Sequence, residues 1–402
     1  MITRLSWKNI WRSKRRSFTV IGAITIGVWA LIFMIAFYNS FGDAFIRSAV
    51  KYEFSHIQVH SEKYIEEPDL KHTLNDFSTL EKELMKMDEV VAYSDRIKVN
   101  AMMASPNTTT GVQMYGIDPL KESNTSQLSS QLIEGAYFEK FKRNPILISE
   151  KLAEKLKVKI RSKVVLTFQD RNNDITAASF RIEGIFKSKS PAINQGVVYV
   201  RTKDIAGLTM VDQPHEVGIL LSNTDLIDSS KVSIASFTPD VVRSYKEVAP
   251  QFNLMEESSA TTTKVMTVIM MLALLFGIIN TMLMAVLERT REIGMLRSIG
   301  MHKKKVFTMI MLETILMGML GGPLGSVFGF VTVSWLSERG MDMSSYAEAL
   351  EQYGAEAVFY PVMEGSEYVV LMIVVIITAF IGAIYPAFKA INLNPLEAIR
   401  KL

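Results

Sequence analysis

Residues 265–287 read VMTVIMMLALLFGIINTMLMAVL, with no charged side chain among them. A helix needs roughly 20 apolar residues to cross a hydrocarbon core. Only a helix or a closed barrel satisfies its backbone polar groups there. This stretch meets that length, and the basic segment ERTREIGMLRSIGMHKKKVF (288–307) follows it at once. Working outward, three further blocks pass the same test: Phe18–Phe41, Val306–Leu336 and Tyr368–Ile391. None of the four holds more than one charged side chain. The third is long and is interrupted by Gly321, Gly322, Pro323 and Gly325, which predicts a kink or a break.

The rest of the composition is segregated around these blocks. The chain is 49% hydrophobic over 402 residues, with a mean hydropathy of +0.19. That is too apolar for an ordinary soluble protein. Residues 43–260 nevertheless have the polar balance of a soluble domain large enough to bury its own core. A formal net charge of +3 is too small to imply a nucleic-acid partner. The complete lack of cysteine excludes disulfides, thiolate catalysis and Cys-ligated metals.

The positions of the charges predict orientation, because Lys and Arg in short flanks stay on the cytoplasmic side. Arg4, Lys8, Arg12, Lys14, Arg15 and Arg16 precede the first block with no acid among them. Arg289, Arg291, Arg297, Lys303, Lys304 and Lys305 lie between the second and third. The connection 337–366 carries Glu338, Asp342, Glu348, Glu351, Glu356 and Glu364 against Arg339 alone. Both termini are therefore expected inside and the large domain outside. The first apolar run is longer than the core of a signal peptide, and YNSFGDAF offers no small-residue cleavage site, so an uncleaved anchor is expected. Leu5, Trp7, Ile10 and Trp11 among cations suit a helix lying in the headgroup region.

In the outer domain the periodicity switches between about 2 and about 3.6, as in an α+β fold. Strands are expected at Phe54–His60, Val90–Met103 and NQGVVYV, and a helix at Phe77–Met87. ILISEKLAEKL reads as a strand and a helix capped by Ser149, and KVVLTFQD with SFRIEGIF as a hairpin. Asn107–Gln131, rich in Ser, Thr, Asn and Gly, reads as a loop or subdomain edge. No phosphate loop, HExxH or GxSxG occurs, so nothing points to an enzyme. His56 and His60 would stand about 13 Å apart on a strand, too far to share a metal ion, and are expected at the surface. No metal site is expected.

The segment 288–307 resembles the FtsX-like permease family at Glu288, Arg291, Glu292, Gly294, Leu296, Arg297 and Gly300. A second match is the ending YPAFKAINLNPLEAIRKL, at Pro386, Ala387, Ala390, Pro395, Glu397, Ala398 and Arg400. In that family, which includes MacB-type efflux and Lol-type lipoprotein-release permeases, the first segment is a coupling helix seated in a groove of an ATPase. Ile293, Leu296 and Ile299 would supply an apolar docking stripe. The resemblance implies a membrane α-helical fold with four transmembrane helices and a large α+β extracytoplasmic domain of the MacB-like periplasmic core type. The expected layout is an interfacial helix (1–17), spans at 18–41, 265–287, 306–336 and 368–391, an outer domain (42–264), a coupling loop (288–305), an outer loop (337–367) and a cytoplasmic tail (392–402).

The resemblance further implies an inner-membrane permease without a cofactor of its own, ATP and Mg being handled by a cytoplasmic ABC ATPase dimer. A second permease, identical or different, and membrane lipids complete the expected partners. Motion of the outer domains driven by the ATPase, called mechanotransmission, would release a lipoprotein from the outer leaflet to a periplasmic carrier. The alternatives are MacB-like efflux of small molecules or peptides, and an FtsX-like regulator of a wall hydrolase. One Lol permease carries a long hairpin that recruits the carrier; the tip at 170–178 here is short and lacks proline. The chain then corresponds to the other permease type or to a homodimer-forming one.

Two further sets of residues are candidates. Glu313 lies inside the third span, where a carboxylate is costly and usually paired. Basic residues before Ser17 are its expected partners. Phe33, Met34, Phe37, Met266 and Met270 are candidate lining for an acyl-chain cavity. Gly321, Gly325 and Gly329 stand at the spacing that lets helices pack closely.

Overall fold

A computed structural model describes residues 2–12, 14–139, 143–347, 349–350, 354 and 357–392. The motif positions Pro395, Glu397, Ala398 and Arg400, and the acidic Glu348, Glu351 and Glu356, lie outside the described residues. Two compact units divide the chain: residues 1–42, 256–342 and 358–402 form one, and 43–255 with 343–357 the other. Residues 256–264 thus fall in the helical unit, and part of the expected outer loop falls in the second.

The helical unit contains α1 (Ile2–Arg12), most of α2 (Lys14–Ala49) and of α3 (Gln251–Glu288), α4 (Thr290–Ser298), α5 (Lys303–Arg339) and α6 (Gly365–Ile391). Four of these, α2, α3, α5 and α6, are long and apolar enough to cross a membrane. α5 is central, and small residues allow it to be. A Cβ on Gly325 would sit 2.6 Å from the Thr25 carbonyl, and on Gly329 2.7 Å from Ile32, both on α2. Gly318 faces Ala379 of α6 at 2.8 Å in the same sense. Only glycine permits these approaches. The break expected at 321–325 does not occur, since α5 runs continuously through Pro323. Proline removes one N–H from the ladder, and neighbouring helices in a bundle can absorb that loss. Thr25 donates a hydrogen bond to the Gly321 carbonyl at 3.2 Å within this stretch.

The second unit is built on a mixed sheet. Its strands are β1 (Ile57–His60), β2 (Val90–Ala104), β3 (Thr109–Ile117), β4 (Leu132–Gly135), β5 (Pro145–Ser149), β6 (Lys163–Gln169), β7 (Ile175–Phe186), β8 (Val197–Arg201), β9 (Glu216–Leu221) and β10 (Val241–Ser244). Pairing runs β2–β3–β8–β5–β7–β6 and returns from β6 to β2, closing a ring of six strands. Alternate residues fill it, as the period of two requires: Val99, Met103, Met114, Ile148, Leu166 and Phe180 all belong to one buried core. Beyond the ring, β9, β1 and β10 continue the sheet off the first half of β2. They bury a second core with the helices Phe77–Leu84 and Ile227–Ala235.

The segment 107–131 is not a loop. It supplies β3, which lies between β2 and β8, then the helix Pro119–Ser126 capped by Asp118. Its parallel partner β8 lies some eighty residues away in sequence, so local composition could not reveal it. The β6–β7 turn is also tighter than expected, spanning only 170–174, where the Asp170 carboxylate accepts from the Asn172 and Asp174 amides. Residues 175–178 are paired strand.

Candidate functional site

The residues expected to couple lie at one end of the helical unit, where α1, α4 and the first turns of α5 meet. α4 ends because Gly300 adopts φ +99°, which L side chains avoid. The Gly300 amide then donates to the Arg297 carbonyl and the Met301 amide to Leu296, closing the helix end. His302 caps α5, its Nδ1 accepting from the Lys304 amide at 3.2 Å. The turn is thus specified by Gly300 and His302 together.

Arg289, between α3 and α4, ties this end together. Its Nη1 lies 3.2 Å from Glu313 Oε1 on α5, and its Nη2 donates to the Asn9 carbonyl of α1 at 3.1 Å. Ser6 adds a bond from α1 to the Met309 carbonyl of α5. The Glu313 side chain is 5% exposed. Among the described side chains it pairs with Arg289. Arg289, the first base after α3, lies outside the set before Ser17 in which a partner was expected. A cavity of 380 Å3 opens over the pair, lined by Leu5 and Asn9 of α1, Met295 and Leu296 of α4, and Met309 of α5.

The other coupling residues divide between inside and outside. Ile293 and Gly294 are buried, Ile293 within the helix core, so Ile293 is not part of a docking stripe. Arg297 donates to the Ile391 carbonyl at the end of α6. Glu292 meets Arg12 at 2.9 Å on the surface, a pair worth little in water. Glu288 and Arg291 are exposed. The apolar side chains left outward are Met295 and Ile299, the latter 86% exposed. The acyl-cavity candidates are not drawn together in this way. Phe33 and Phe37 continue a stacked row from Trp29, Met34 and Met270 pack against the helix core, and Met266 is exposed.

The second unit holds a buried ionic cluster that sequence reasoning missed. His60, Glu216 and Arg96 lie side by side on β1, β9 and β2. Arg96 forks onto both oxygens of Glu122 at 2.8 and 2.9 Å and reaches Glu216 at 2.8 Å. Lys98 also pairs with Glu216 and lies over the Tyr115 ring. Burial pushes Glu216 up, yet Lys98 and Arg96 outweigh it and hold the carboxyl at about 2. His60 is buried here, so it is not a surface histidine. The alternation Arg96–Lys98 inside a strand was the available signal.

Beside the cluster, burial pushes His215 down to about 4. Its Nδ1 accepts from the Lys98 amide and its Nε2 faces the Leu70 carbonyl, so a second proton would evict a buried N–H. The unfolded imidazole binds its proton near 6.5 and the folded one only near 4. The unfolded state therefore holds more protons between these values, and stability is lost as pH falls through that window. Glu216 adds a loss in the same direction between 4.5 and 2. Protection of the β2 and β9 amides in the full-length chain, corrected for the intrinsic exchange rate at each pH, is expected to fall from pH 7.5 to 5 by on the order of 2 kcal/mol of opening free energy. His215→Gln should flatten that dependence.

Comparison with known proteins extends over both units. The MacB-like periplasmic core domain matches residues 17–235, and the FtsX-like permease C-terminal domain matches residues 264–395. The lipoprotein-releasing system transmembrane protein LolC of Xylella fastidiosa is 24% identical over 304 residues, covering 71% of this chain and 72% of that one. LolC of Neisseria meningitidis serogroup B is 21% identical over 400 residues, 94% and 92% of the two chains. The macrolide export ATP-binding/permease protein MacB of Syntrophobacter fumaroxidans is 25% identical over 170 residues, 39% of this chain and 20% of that one. With four apolar helices and a mixed α/β domain, both as expected from the sequence, the chain belongs to the FtsX-like permease family with a MacB-like periplasmic core domain, and is an ABC transporter permease of the FtsX, MacB and Lol type.

Proposed function

We propose that this chain is a permease of a lipoprotein-releasing system that borrows its ATP hydrolysis from a separate cytoplasmic ATPase. The observation that carries this reading is the end-to-end similarity to LolC, 94% of the chain across both units, against 39% for the MacB relative. The basic flanks of the spans put both termini and α4 in the cytoplasm. There the exposed Met295 and Ile299, in a segment that also carries Arg291 and Lys303–Lys305, offer an apolar knob for the ATPase groove. ATP and Mg stay in that partner.

In this mechanism, closure of two ATPase subunits pushes on α4. Arg289 and Gly300 flank the two ends of α4, so the push is passed to α5 through Arg289 and Glu313 and to α6 through Arg297 and the Ile391 carbonyl. The outer domains of two permeases then move a lipoprotein out of the outer leaflet. The short 170–174 turn offers no long hook for a carrier, which favours a homodimer or pairing with a second permease that has one.

Reconstitution of the chain with its ATPase in proteoliposomes carrying a fluorescent triacylated peptide tests this. ATP-dependent release of the peptide to the outside, lost in Met295→Asp/Ile299→Asp, is expected. ATP-driven export of a macrolide with no peptide release would instead establish the MacB-like reading, which the match to that core domain supports.

A further inference from the structure

We infer that the groove between the base of α2 and the end of α3 binds the headgroup of an anionic phospholipid. The groove has a volume of about 680 Å3. Arg12, Lys14 and Arg15 line one side, and Thr281, Met284 and Glu288 of α3 the other. Three cations against one carboxylate leave a formal excess of two positive charges. Arg12 is engaged by Glu292, whereas Lys14 and Arg15 make no side-chain ion pair among the described residues. Two exposed cations are therefore unneutralised at the end of an apolar helix pair.

The walls fit a lipid better than a free anion. Thr281, Met284 and Glu288 follow one face of α3, so the charged end of the groove passes into apolar surface, with Met284 61% exposed. Trp7 and Trp11 of α1 and Phe18 of α2 form an edge-to-face row, with centroids 5.9 and 6.3 Å apart, all three exposed. Exposed Trp at a span end marks headgroup depth, and cations there attract anionic lipid at about 1 kcal/mol each. A phosphodiester at Lys14 and Arg15 with acyl chains along Met284 satisfies both the charge and the apolar wall. The site depends on the spans lying in a membrane, and on neither the cargo nor the ATPase.

Native mass spectrometry of the full-length chain in micelles, titrated with phosphatidylglycerol and phosphatidylcholine, tests this. One phosphatidylglycerol is expected to bind about tenfold more tightly than phosphatidylcholine, and Lys14→Gln/Arg15→Gln to remove that preference. Lys303→Gln/Lys304→Gln changes the charge equally at another site and should leave it intact. Glu288→Gln should tighten binding, an effect that damage to the fold would not produce. Equal binding of the two lipids, equal loss in both double variants, or competition by glycerol phosphate at the affinity of the lipid would each overturn the proposal.

Discussion

Replacing Arg96 by Met is expected to destabilise the outer domain by about 3–5 kcal/mol, enough to leave it largely unfolded at physiological temperature. The guanidinium is 3% exposed and stands between two carboxylates that are themselves almost fully buried. Removing it leaves Glu216 with Lys98, but leaves Glu122 with only neutral partners such as Ser94, 2.7 Å away. A lone buried carboxylate takes up a proton or draws in water, and either opens the contact between β2 and the helix Pro119–Ser126. Lys231→Gln at the surface pair with Glu247 is the control, since losing that pair while keeping Glu247 should cost well under about 1 kcal/mol. All four tryptophans, Trp7, Trp11, Trp29 and Trp335, lie in the helical unit, so their fluorescence will not report the loss. Amide exchange of β2 and β9 in the full-length chain will. The double variant Arg96→Met/Glu122→Met should recover most of the protection, because an apolar pair needs no counter-charge. Full protection in Arg96→Met alone would mean that solvent already reaches the cluster.

What could be read in advance follows from the range over which each element is specified. The β6–β7 hairpin, the strand and helix around Ser149 and the four apolar helices carry their patterns locally, and all are present, the helices extending past the apolar stretches. β3 was invisible because Thr109–Ile117 is polar at its start and is held by strands far away in sequence. The docking stripe failed for a geometric reason. Residues three apart drift on a 3.6-residue helix, so Ile293 and Ile299 stand about 120° apart, one in the core and one outside. Met295 and Ile299, four apart, are the pair that shares a face. The ionic cluster was missed because its members come from β1, β2, β9 and a short helix, and their spacing in the chain says nothing about their meeting. Glu313 was found as an oddity in an apolar helix, but a lone carboxylate does not name its partner.

That partner makes Glu313 the position where stability and transmission can be separated. Glu313→Leu removes the buried carboxylate that meets Arg289, and a loss of about 3 kcal/mol is expected, read as a fall in melting temperature. On the proposed reading, lipoprotein release should fall by more than tenfold. Glu313→Gln keeps an acceptor for Arg289 and should retain assembly and ATP hydrolysis while release drops. Unchanged melting in Glu313→Leu would show a solvent-screened pair of no consequence. The double variant Arg289→Met/Glu313→Leu then separates two roles. An apolar pair fills the same space without a desolvation cost, so stability should return close to that of the unmodified chain. It cannot reproduce the bond from Arg289 to α1, nor the directional link from the end of α3 to α5. If the pair only held the helices together, release would return with stability. Because Arg289 bonds to both α1 and α5 where α4 begins, we expect stability to return and release to stay lost.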